Sequence, residues 1–144
     1  MKRHPILIPI SREHHQMLLL AQLLKEDAPA YRDMPQTIEG KVAYAKELQN
    51  SLLDHHLSRD CQIIFPFLAT FKGLRLTAEE LLKRNSELSK YLYKLSELST
   101  TAELDKIGKT LEKYVRTKER ILFEKAQESL SEEDFVRLEK QMNV

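Results

Sequence analysis

Apolar residues recur at three- and four-residue spacing in four successive stretches of the chain, and this pattern constrains the fold more than any other feature. The first stripe is Ile10, His14, Leu18, Ala21. The second is Leu48, Leu52, His56, Asp60, Ile63, Phe67. The third is Leu81, Asn85, Leu88, Leu92, Leu95. The fourth is Leu104, Ile107, Leu111, Tyr114, Lys118, Ile121. Four amphipathic helices joined by short turns predict an all-α fold: an up-down-up-down antiparallel four-helix bundle.

The stops and starts agree with that spacing. Ser11 is a fitting N-cap for a helix running to about Asp27, and Pro29 and Pro35 bracket the following loop. A second helix is expected from near Thr37 to about Phe71, with Pro66 kinking or shortening its end. Thr77 with Glu80, and Thr100 with Glu103, form capping boxes. They predict a third helix ending near Leu98 and a fourth reaching about Ser129. Ser131 with Asp134 opens a short C-terminal helix to about Gln141. No strand pattern and no dividing linker appears, so residues 1–144 are expected to form one domain.

Composition excludes several classes. Positive and negative side chains are interspersed, the net charge is +1 and there is no basic arm, so nucleic acid is not an expected partner. No stretch has the length of a membrane span, and Pro9 with Arg12 and Glu13 interrupts the N-terminal apolar run too early for a signal peptide. A lone cysteine, Cys61, cannot form an internal disulfide, and a cytoplasmic location is expected. No Gly-rich phosphate loop, nucleophile elbow or paired-Cys motif is present. An oxygen-activating or peroxide-consuming enzyme stays open as a third class behind a binding or an interaction module, since it needs an open coordination position and usually two metals.

Each stripe is broken near its middle by polar groups: His14; His56 and Asp60; Asn85; Tyr114, Lys118 and Glu119. Buried polar groups must find partners, so four helices offering them at one level suggest one shared site. His56 and Asp60 are four apart and lie on one helix face, where a nitrogen and a carboxylate oxygen suit a transition-metal ion.

Longer motifs add a family resemblance. Lys2-Arg3-His4-Pro5 followed by Ser11-Arg12-Glu13-His14-His15, the run His56-Leu57-Ser58-Arg59-Asp60 ending in Phe65-Pro66, and Leu111–Arg116 through Glu119–Phe123 together resemble hemerythrin-like (HHE cation-binding) proteins. The likeness covers Met1 to about Phe123. It implies a non-haem di-iron site in a bundle core, with His14 and His56 on one iron and Asp60 and Glu119 bridging. The second iron's histidine positions fall on Asn85 and Tyr114, no histidine lies between Leu57 and Val144, and Asp60 is shorter than the usual Glu.

The resemblance therefore implies a degenerate site. One reading is a sensor or storage module binding a single Fe, Mn or Zn ion through His14, His56, Asp60 and Glu119, not a complete di-iron centre and not an oxygen carrier. The other is a metal-free bundle in which Lys118 supplies the positive charge between Asp60 and Glu119, serving interaction or scaffolding. The expected partners are a metal ion and, through an exposed apolar helix face, a second copy of the chain. Tyr114 is weighed as a phenolate ligand against a hydrogen-bonded core residue, and His15 as a substitute for His14.

Overall fold

The structure, a computed structural model, describes residues 2–29 and 33–143. These are all-helical, with no strand among them. The loop expected between Pro29 and Pro35 lies partly outside the described residues.

Five helices follow one another. α1 is Ile8–Leu24. α2 is residues 38–69, a run of Ile38–Leu48, Asp54–Arg59 and Phe65–Ala69 joined by two wide π turns, Gln49–Leu53 and Asp60–Ile64. α3 is Arg75–Lys94. α4 is residues 101–129, with Thr101–Thr117 and Phe123–Ser129 joined by a third π turn, Lys118–Leu122. α5 is Glu132–Met142.

Two of the expected caps form: the Thr100/Glu103 and Ser131/Asp134 boxes close in both directions. Thr37, near the expected start of α2, accepts from the Gly40 N–H. Several boundaries differ from expectation, α1 ending at Leu24 ahead of Asp27 among them. α1 starts a turn before Ser11, because Pro9 sits in the first turn, where its missing N–H costs nothing. α3 starts at Arg75, ahead of the Thr77/Glu80 box, because the turn at Phe71–Leu74 already runs helically into it. It ends at Lys94, where Leu95 turns extended and is buried.

The π turns decide which residues face inward. In each, an N–H reaches back five residues: Asp54 to Gln49, Phe65 to Asp60, Phe123 to Lys118. Each turn absorbs one extra residue, so the buried position moves one place along. Leu53, Ile64 and Leu122 are fully buried where the regular spacing points to Leu52, Ile63 and Ile121. The turn at Asp60–Ile64 also lies directly before Pro66, whose ring needs room at the residue four before it.

α1 packs along Thr101–Thr117 of α4, α3 packs on α4 and on the end of α2, and α5 covers the Asp60–Ile64 turn. The α1–α4 seam is tight at Gly108, where a Cβ would come within 2.7 Å of the Ala21 carbonyl oxygen and 3.0 Å of the Lys25 nitrogen. The buried apolar side chains of all five helices form one cluster. His14, His56, Asp60, Asn85 and Lys118 are the polar side chains sunk into its middle, with Tyr114 among them.

Candidate functional site

Lys118 opens the π turn of α4, one helical turn after Tyr114, so both point inward. Its side chain is fully buried, and Asp60, opening a π turn of α2, is fully buried opposite it. Lys118 Nζ donates to Asp60 Oδ2 at 2.5 Å and lies 2.8 Å from His56 Nε2. Three aromatic rings surround the ammonium: Nζ is 5.4 Å from the centroid of Tyr114, 5.8 Å from Phe123 and 5.9 Å from Phe65. Tyr114 donates its hydroxyl to the same Asp60 oxygen at 2.6 Å. Asn85 donates to the Tyr114 oxygen at 3.0 Å and to the Leu57 carbonyl at 2.8 Å. One carboxylate oxygen of α2 thus collects two donors, both from α4.

A second layer fixes the imidazoles. His56 Nδ1 is 2.6 Å from Glu13 Oε1, and Arg59 Nη2 holds that same oxygen at 2.7 Å. His14 Nδ1 is 2.6 Å from Glu119 Oε1, and Arg3 Nη2 holds Glu119 Oε2 at 2.8 Å. Each histidine therefore stands in an Arg–carboxylate–imidazole series. The carboxylate demands the proton on Nδ1, which leaves both Nε2 atoms as acceptors. The two rings lie 5.1 Å apart. His56 Nε2 accepts from Lys118. His14 Nε2 and Asp60 Oδ1 are buried without a hydrogen-bond partner.

The electrostatics follow from burial and this pairing. Burial pushes the His14 imidazole down, Lys118 pushes it further, and it titrates at about 4. His56 is lowered for the same two reasons. Burial works against the Asp60 carboxylate, but Lys118, His56 and the Tyr114 hydroxyl together outweigh it and hold Asp60 below its ordinary value. Burial lowers Lys118, and Asp60 opposes that shift. Tyr114 is raised well above 10.0 by burial and by the Asp60 charge, so its oxygen stays a protonated donor. Burial also raises Glu13 and Glu119, yet His56 with Arg59 on the first, and His14 with Ser11 and Arg3 on the second, bring both to about 2. The interior thus pairs the Lys118 ammonium with the Asp60 carboxylate, beside two imidazoles whose protonation burial disfavours.

Of the four residues expected to hold a metal, His14, His56 and Asp60 come together in the core, and Glu119 faces the Nδ1 side of His14 with a quarter of its side chain exposed. Among the described residues no group of three or more His, Cys, Asp or Glu side chains is arranged to hold a metal ion. With Lys118 Nζ against both His56 Nε2 and Asp60 Oδ2, the donor set as it stands does not form a metal cage. Tyr114 is a hydrogen-bond donor, and Asn85 a core amide with both bonds satisfied inside the protein. His15 and His55 are exposed. His4 stacks on Phe135 with ring centroids 3.8 Å apart and faces Glu132, away from the network.

Glu13, Arg59 and Arg3 are functional neighbours that the stripes do not reveal. All three are only partly buried, so they fall outside a pattern that selects the inward face. Two signals pointed their way: Glu13 adjoins His14, and Arg59 lies three residues after His56 on the same helix face. No protein-family model, no curated protein and no solved structure matches the chain.

Proposed function

We propose that this chain is a hemerythrin-like, up-down-up-down four-helix bundle whose metal centre has been replaced by a lysine, and that it works as a metal-free interaction or scaffolding module. The observation that carries this reading is the Lys118 ammonium, bonded to His56 Nε2 and Asp60 Oδ2. A fixed positive charge there satisfies the same imidazole and carboxylate that a cation would. α5 is then an addition that covers the Asp60 end of the bundle. With no open coordination position and no other catalytic motif, activity is assigned to the outer surface. The lone Cys61, half-buried against the Ser58 carbonyl, supports a reducing, cytoplasmic setting.

A second reading, a mononuclear Fe, Mn or Zn module, is favoured by one observation. His14 Nε2 and Asp60 Oδ1 are buried acceptors with no donor. Both imidazoles also have Nδ1 tied to a carboxylate, the outer-shell pattern that orients metal-bound histidines.

Metal analysis by plasma mass spectrometry separates the two. The test uses untagged protein purified without chelator, and the same protein reloaded with Fe(II), Mn(II) or Zn(II). The metal-free reading expects background content in the wild type. Stoichiometric metal that is lost in His56→Ala overturns it and establishes the second reading. Lys118→Ala gives an internal comparison: removing the ammonium frees His56 Nε2 and Asp60 Oδ2, and this variant should take up a divalent ion where the wild type does not.

A further inference from the structure

Residues 2–4, ahead of α1, lie across α4 and α5 and are held there by polar and ring contacts. Gln127 of α4 grips their backbone. Its Oε1 accepts from the His4 N–H at 3.0 Å, and its Nε2 donates to the Lys2 carbonyl at 2.9 Å. An amide that pairs with the chain before and after one residue holds an extended segment without reading its side chains.

The side chains are read on either side of that grip. Arg3 Nη2 donates to Glu119 Oε2 at 2.8 Å and to the Glu119 carbonyl at 3.1 Å, and it lies 3.3 Å from Glu124 Oε1. The same guanidinium stands 5.6 Å from the centroid of the Phe123 ring. The His4 ring stacks on Phe135 of α5 with centroids 3.8 Å apart, and its Nε2 is 3.1 Å from Glu132 Oε1. One position of the seat therefore fits an arginine and the next fits a flat ring with a polar edge.

The seat is fixed by groups other than this segment. Glu119 is held on its other oxygen by His14 Nδ1 at 2.6 Å, and Phe123 and Phe135 are packed into the core. Such preorganisation lowers the ordering cost of binding. The segment itself is set less deeply. Lys2 and Pro5 are exposed, Arg3 and His4 are half-buried, and Leu7 is the first described residue whose side chain is buried. Contacts of this kind are ones that water or a competing chain can replace.

Charge narrows what else could occupy the seat. Among the described residues, Glu124 is paired with Arg3 alone, Glu132 with His4 alone, and Glu119 with Arg3 and His14. Without residues 2–4 the seat is acidic, which disfavours a phosphodiester backbone or an anionic bilayer. A second copy of the chain brings a segment already satisfied on its own seat at high effective concentration, so an exchange gains no contact. A partner segment with no seat of its own gains all of them.

We infer that the α4–α5 seat is a recognition site for an extended basic segment of a partner protein, an arginine followed directly by a histidine, and that Lys2–His4 occupies it in cis as a competitor. The inference rests on the interaction-module reading and names its surface and the chemistry of its partner.

The test uses the full chain, labelled with nitrogen-15, and the end-blocked peptide Lys-Arg-His-Pro-Ile as probe. Arg3→Ala with His4→Ala weakens the competitor in cis. This variant should bind the peptide saturably, with shifts of the Gln127 side-chain amide signals and of backbone signals between residues 119 and 135. Wild type should bind it about tenfold more weakly or worse, because its own segment must first leave. A peptide with alanine in place of arginine and histidine should not bind, and adding Gln127→Ala to the variant should remove most of the affinity. Circular dichroism melts check folding. His4→Ala alone, which gives up only the contacts to Phe135 and Glu132, serves if the double variant is unfolded. No saturable shifts, equal binding of the alanine peptide, or equal affinity in wild type and variant overturns the inference. So does a concentration-dependent dimer that Gln127→Ala abolishes, since a second copy is then the occupant. Metal content is measured separately, so failure here leaves the metal-free reading of the core standing.

Discussion

Lys118 is a residue whose removal costs more than its own contacts. Without it, Asp60 keeps a buried charge with the Tyr114 hydroxyl and, at 3.4 Å, the His56 imidazole beside it, and His56 Nε2 loses its donor. Lys118→Met should therefore destabilise the protein by about 3–5 kcal/mol in urea titrations done with chelator present. Adding Asp60→Asn to that variant should recover part of the loss, since the charge left unpaired is then gone. Unchanged stability of Lys118→Met would rule out the ion pair as a structural element. The pH dependence belongs to the two buried imidazoles, His56 being lowered in the same direction as His14. The folded value of His14, about 4, lies below the ordinary 6.5, so the unfolded chain binds its proton first as pH falls. Stability from this group is complete above 6.5 and is lost between 6.5 and 4, by up to roughly 3 kcal/mol. Glu13 and Glu119, lowered from 4.5 to about 2, extend the loss into more acid solution. Urea midpoints at pH 7, 5 and 4 check the first part, and His14→Gln should flatten it. At this scale the sequence was legible where polar residues broke an apolar stripe: His14, His56, Asp60, Asn85, Tyr114 and Lys118 are all buried. The stripes do not single out Glu13, Arg59 and Arg3. They reach the site from the rim, and rim residues look like any solvated helix face.

The helices themselves were legible from their caps and spacing, and the π turns were not. The reason lies in three adjacent apolar pairs: Leu52–Leu53, Ile63–Ile64 and Ile121–Leu122. Either member can fill a core position, so the pattern fits a regular helix as well as one carrying an inserted residue. Only packing decides, and it buries the second of each pair. This has a direct test. Deleting Ile121 should turn the wide turn into a regular one and leave Leu122, Phe123 and Ala126 facing inward. The variant should fold with stability within about 1 kcal/mol of the wild type. Deleting Lys113, also exposed but in a regular stretch, rotates one side of α4 against the other by about 100° and should abolish cooperative melting. If both deletions behave alike in thermal melts followed by circular dichroism, the π turn is not acting as an insertion. Pro66 was flagged from sequence as a kink; the accommodation appears one turn earlier, as the π turn that gives its ring space.

For the molecule as a whole, the seam between α1 and α4 sets how closely the helices can approach. Gly108→Ala places a Cβ against the Ala21 carbonyl oxygen, an atom of backbone that a side-chain rotation cannot move aside. The expected cost is about 1–3 kcal/mol, seen as a lower melting temperature, and it should fall on this seam without changing the titration of His14. The complete burial of Lys118 also makes this lysine a chemical clock. An acylating reagent reaches exposed amines such as Lys113 immediately but meets Lys118 only when the core opens. When acylation outpaces reclosing, the mass-spectrometric rate of modification at that one residue is the rate of global unfolding in plain buffer, without denaturant or heat.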